Sequence, residues 1–152
     1  MWVAASGIVL AIGFYASSAR SDDAAVVDDR LSVMKAQGKD MTAIKAYIDD
    51  KADVASAQTA GADLVTQVNK IPSLFPKGTG MTEFPGKSYA KPAIWTDGDK
   101  FATQAKTAAD KAIALSTALK GGDKAAITAA FGDMGKNGCG TCHETYREKK
   151  PS

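Results

Sequence analysis

From Asp23 to about Lys51 apolar residues recur at spacings of three, four and seven, at Val27, Leu31, Met34, Met41, Ile44 and Ile48. That is one stripe of a long helix. A second stripe, Val54, Ala57, Gly61, Leu64, Val65, Val68 and Ile71, predicts a second helix that stops at Pro72. Residues 72–98 then hold Pro72, Pro76, Pro85 and Pro92 with Gly78, Gly80, Gly86 and Gly98. Those are too many breakers for a helix, and nothing alternates as a strand would, so a long crossover loop is predicted. Phe75, Phe84, Tyr89, Ile94 and Trp95 stud this loop and predict that it folds back over apolar surface. A third helix over about 97–120, capped by Thr96 or Asp97, carries Phe101, Ala105, Ala108, Ala112, Leu115 and Leu119 and ends at Gly121-Gly122. Asp123 caps a fourth, whose inner face is Ile127, Ala130, Phe131 and Met134 and which fades near Lys149-Lys150-Pro151. Short links join the first helix to the second and the third to the fourth, and short links make antiparallel neighbours. The expected fold is all-α, an antiparallel four-helix bundle with one long crossover.

Ahead of the bundle, residues 2–19 carry no charge and are mostly apolar, until Arg20, Asp22 and Asp23 end the run. As a helix they reach roughly 27 Å, slightly less than a bilayer core of about 30 Å. We read an N-terminal transmembrane helix that remains as an anchor, with residues 1–20 as membrane segment and 21–152 as the folded domain. The alternative is a cleaved signal peptide: Ala16-Ser17-Ser18-Ala19 offers small residues for cleavage, although no Lys or Arg precedes the apolar run. Both readings place the domain in the periplasm.

Charge and cysteine use narrow the chemistry. The 152 residues suit one domain with a real core. With 19 Lys plus Arg against 17 Asp plus Glu, the net charge of +2 lacks the basic excess that nucleic-acid binding leaves. Only two cysteines occur, and the single histidine follows the second: Cys139-Gly140-Thr141-Cys142-His143. This is C-x-x-C-H, the signature of covalent haem attachment. On a helix, positions i, i+3 and i+4 share a face, so both thiols meet the two vinyl groups while His143 meets the iron from the same side. Gly138 and Gly140 leave room for a flat macrocycle. A thioredoxin-like pair needs a βαβ setting that this chain lacks, and a structural zinc wants four ligands where two Cys and one His exist in total.

On these residues the chain resembles the cytochrome c′ family of class II c-type cytochromes. The resemblance covers about residues 24–150 and includes C-x-x-C-H in the last helix, the following Tyr146-Arg147, the run Arg30-Leu31-Ser32-Val33-Met34 and Pro92-Ala93-Ile94-Trp95. Leu31 departs from the family, where many members have Gln or Lys, and so does the apolar N-terminus. The resemblance implies one haem c held by Cys139, Cys142 and His143, with the residue at position 34 facing the opposite side of the ring. There Met34 resembles the low-spin branch in which methionine is the sixth ligand. Met at helical spacing is otherwise ordinary core packing, and Met41, one heptad on, is the rival ligand. Arg30, one turn before Met34, would pair with a haem propionate, and Arg147 would face the proximal side; the plainer alternative for both is a solvated charge.

The function expected is a one-electron carrier serving redox partner proteins of a respiratory or photosynthetic chain, not an enzyme. The alternatives are a five-coordinate, nitric-oxide-binding cytochrome c′ and a subunit whose haem merely staples the bundle. The resemblance also implies a homodimer through the first two helices, with Gly61 permitting close approach, or a place in a larger membrane complex.

Overall fold

The computed structural model describes residues 15–149, with side chains from Ser21 onward. Its helices are α1 (Tyr15–Ile48), α2 (Val54–Asn69), α3 (Ala93–Thr96), α4 (Gly98–Gly121), α5 (Lys124–Asp133) and α6 (Thr141–Tyr146). A π-helical segment, Met134–Gly140, joins α5 to α6 without a break. α1 packs on α2, α2 on α4, and α4 on α5 and the π segment, while α5 returns to α1. This is the predicted four-helix bundle. The described residues hold no strand, only an isolated bridge between Ala90 and Arg147. The predicted membrane segment falls largely outside the described residues; among them, no helix is long and apolar enough to cross a membrane.

Local chemistry sets the ends of the rods. α1 stops in a Schellman turn in which Lys51 N–H donates to Ala46 O (2.8 Å) and Asp50 N–H to Tyr47 O (3.1 Å). Asp50 takes the left-handed conformation there, φ 59°, which aspartate tolerates better than most side chains. Asp53 caps α2 by accepting from Ser56 N–H (2.7 Å), and Asp123 caps α5 by accepting from Ala125 N–H (3.0 Å). Gly122, φ 76°, closes α4. Asp97 precedes α4 as expected, but its side chain makes no capping bond.

The α1–α2 and α4–α5 turns lie at one end of the bundle. That end is packed solid around Ile44, Leu64, Leu115, Leu119 and Ile127, all without measurable exposure. Each such side chain contributes about 1.5–3 kcal/mol by leaving water. The α2–α4 crossing is tight, since a Cβ on Gly61 would stand 2.6 Å from Leu119 Cδ1. Gly61 therefore serves the interior and not the dimer face expected of it. Gly61→Ala is expected to cost about 1–3 kcal/mol by overpacking, read as a lower urea midpoint.

The inner face of α1 differs from the predicted stripe. Leu31 is 41% exposed, whereas Arg30 and Gln37 are buried. Farther along, Asp40 is half-buried against α2. Desolvation raises its carboxyl above the usual 3.8, the charge of Asp63 raises it further, and a hydrogen bond from Gln67 opposes both. A folded-state value above the unfolded one favours folding below the ordinary carboxylate range, and that contribution is lost as pH rises through the folded value. Asp40→Asn is thus expected to raise the thermal midpoint near pH 7 and to make little difference near pH 3.

At the other end of the bundle the crossover folds back, as its aromatic residues predicted. Ile71–Leu74 is one turn of 3-10 helix. Trp95 Nε1 donates to Phe75 O (2.9 Å), and Phe101 meets Phe75 and Tyr146 edge-on with ring centroids 5.1 and 5.2 Å apart. The chain after α6 completes the strap: Lys91 N–H donates to Tyr146 O (2.9 Å) and Glu148 N–H to Tyr89 O (2.8 Å). The last helix consequently ends at Tyr146 and not near Lys149, because Arg147 is drawn into extended backbone beside Ala90.

Candidate haem site

Under this strap lies an apolar cavity of about 320 Å³. Its walls are Ile71, Phe75, Ile94, Phe101 and Tyr146, and Cys142 and His143 form its floor. A smaller cavity of about 30 Å³ continues inward between α1, α2, α4 and the π segment, and Met34, Cys142 and His143 line both. Cys139 lines the inner part only. The two thiols and the imidazole thus face one slot, as the C-x-x-C-H spacing predicted. Gly138 is buried, but a Cβ there would meet Met134 Sδ at 2.8 Å and Ala108 Cα at 3.7 Å. Its bareness lets the last helix approach α4, and Gly138 also lines the inner cavity. Phe131, expected on the inner face, packs against the core and is absent from both linings.

Burial controls the protonation of the floor. It pushes the Cys142 thiol up to about 11, with Cys139 adding to the effect, and raises Cys139 as well. Thiols held protonated are the reverse of a redox pair, whose thiolate must be stabilised. Among the described residues no group of three or more His, Cys, Asp or Glu is placed to hold a metal ion. His143 is lowered from 6.5, first by burial and then by the charge of Arg147. The imidazole is therefore neutral at physiological pH, which is the form that binds iron.

Met34 reaches the slot from α1, whereas Met41 packs against the core and lines neither cavity. Arg30 and Arg147 both stand at the outer mouth with Tyr89 and Glu148. Arg30, 5% exposed, is held by neutral oxygens of the crossover. Nε donates to Leu74 O (2.8 Å), Nη1 to Thr79 O (2.9 Å) and Ser88 Oγ (3.2 Å), and Nη2 to Thr79 Oγ1 (2.5 Å). Its guanidinium lies 4.2 Å from the Phe75 ring centroid. Burial lowers it to about 10, so it keeps its charge at neutral pH, and no carboxylate pairs with it among the described residues. A guanidinium has five N–H donors. Four are used here, which leaves one donor and a whole positive charge at the mouth.

Sequence reading passed over Gln37, Tyr89 and Tyr146 as site residues. For Gln37 a signal existed: it falls three after Met34 and four before Met41, on the buried stripe.

The slot fits a haem on its own chemistry. Apolar walls suit the macrocycle, a neutral imidazole and Cys142 line both cavities with Cys139 on the inner one, and the cationic Arg30, without a carboxylate partner among the described residues, suits a propionate.

Comparison with known proteins agrees. The family model described as Cytochrome C' matches residues 25–147. Cytochrome c' of Rhodospirillum rubrum is 33% identical over 128 residues, 84% of each chain. Cytochrome c-554 of Cereibacter sphaeroides is 42% identical over 97 residues, 64% of this chain and 67% of that one. Among solved structures, the nitric oxide complex of a mutant cytochrome c prime from Alcaligenes xylosoxidans superposes with a TM-score of 0.74 at 28% identity, covering 84% of this chain and 97% of that one. With the match spanning nearly every described residue and ending just past the haem-binding motif, the chain belongs to the cytochrome c′ family and carries one covalently attached haem c.

Proposed function

We propose that this protein is a periplasmic one-electron carrier whose iron is held between His143 and Met34. The observation that carries the reading is the position of Met34, which lines both cavities together with His143, whereas Met41 lines neither. When bound, the haem supplies a one-electron iron couple. Cys139 and Cys142 would hold it by thioether bonds, and neutral His143 would supply a nitrogen ligand to the iron. The walls of Ile71, Phe101 and Tyr146 exclude water, which favours a small structural response to the change of charge. Arg30 and Arg147 face the propionates. A thioether ligand from Met34 would raise the potential relative to a second strong nitrogen donor and would leave no open site for substrate. The partners are redox proteins on the periplasmic side of the membrane, and residues 2–19 are the route to it, as anchor or as leader.

A second reading, a five-coordinate haem that binds nitric oxide, is favoured by the superposition on a relative solved as its nitric oxide complex. Absorption spectra of the oxidised and reduced protein separate the two. The carrier has a sharp ferrous α band and ignores nitric oxide at low concentration; a broad band with immediate binding selects the second reading.

A further inference from the structure

Gln37 is 7% exposed, and its side-chain Nε2 is buried without a hydrogen-bond partner. It lies on α1, three residues after Met34, and lines the inner cavity together with Met34, Cys139, Cys142 and His143. The rest of that lining is Val68, Ile71 and Met134 with small residues, and no side chain among them offers an oxygen acceptor. Two buried acceptors are likewise without a partner, Asp40 Oδ2 and Gln67 Oε1, but neither residue lines this cavity. An amide N–H left unsatisfied in an apolar cavity is costly, and a bound haem would bring an acceptor to it, an atom on the iron or the sulfur beside it. We infer that Gln37 is the hydrogen-bond donor at the sixth position of the haem, toward the Met34 sulfur where methionine is the ligand and toward any small ligand bound there otherwise. The inference rests on haem attachment at Cys139, Cys142 and His143 and not on ligation by Met34. It makes Gln37 a positioning residue that selects for ligands carrying negative charge.

The test uses haem-loaded Met34→Leu and Met34→Leu/Gln37→Leu, so that no methionine sulfur at position 34 competes for the iron. Ferric fluoride is a strong acceptor, and its affinity is expected to fall about tenfold when the donor is removed, the ratio that one charge-assisted hydrogen bond represents. Carbon monoxide is a weak acceptor; its affinity should change far less, while its stretching band in the ferrous complex moves to higher wavenumber because the donor no longer favours back-donation. Gln37→Thr in the same background, with its hydroxyl too short to reach, should repeat both effects. An unmoved band with unchanged fluoride affinity overturns the inference, and so does an equal loss for both ligands, which marks a damaged cavity. Identical spectra for wild type and Met34→Leu instead defeat ligation by Met34, and the comparison at Gln37 still stands.

Discussion

A chain with both Cys139 and Cys142 replaced by alanine is expected to show no haem-stained band on a denaturing gel. Thioether bonds survive denaturation and coordination bonds do not, so a band of wild-type intensity would refute covalent attachment at these residues. The same variant is expected to lose its tertiary order. Without the ring, water enters the open apolar cavity, and its walls lose the burial that the haem would supply, about 25 cal/mol per Å² of apolar surface. Whole domains are stable by only about 5–15 kcal/mol, so the haem-binding half is expected to loosen. Far-ultraviolet circular dichroism should retain much of the helix signal while the cooperative melt broadens or vanishes. A sharp, native-like melt would show that the helices close the slot unaided.

The second large effect is expected from Met34→Leu. Leucine nearly conserves the volume, so stability should change by less than about 1.5 kcal/mol. The iron should respond far more. Loss of the thioether leaves the ferrous haem high-spin, and the potential falls because thioether ligation favours the reduced state. Affinity for carbon monoxide rises at the opened position. Met41→Leu, on the same helix but away from both cavities, should do none of this. If the low-spin bands survive in Met34→Leu, or if the wild type already takes up carbon monoxide readily, the carrier reading gives way to nitric oxide binding.

Which features could be read beforehand follows from how local their causes are. Helical periodicity, the caps at Asp53 and Asp123 and the stop at Gly122 depend on neighbours within a turn or two. The motif is likewise local, since five consecutive residues hold both thiols and the imidazole. The folding back of the crossover was visible because Phe75, Ile94 and Trp95 have no reason to sit in solvent. The π segment left only a faint trace, the glycines at 132, 135, 138 and 140, which weaken the α-helix without saying what replaces it. The end of the last helix was misplaced because the backbone of Arg147 pairs with Ala90, 57 positions earlier in the numbering. Arg30 was legible as a buried cation, but not the carbonyls of Leu74 and Thr79 that hold it, which come from a segment with no periodicity of its own.

The strap over the slot also bears on the order in which the molecule assembles. Its closing bonds join residues far apart in the chain: Arg30 to Thr79 across 49 positions and Arg30 to Ser88 across 58, with Lys91 and Tyr89 tied to the residues just after the motif. Loops of that length lose entropy before any contact rewards them, and non-local contacts slow folding where helical turns do not. The rods and the solid end of the bundle are therefore expected to form first, with the mouth closing late. Until the mouth closes, Cys142 and His143 on the cavity floor are expected to stay within reach of an incoming haem. An early lock at Arg30 would seal the entrance before the cargo arrived, so the timing of closure, as much as the shape of the slot, decides how much holoprotein a cell recovers.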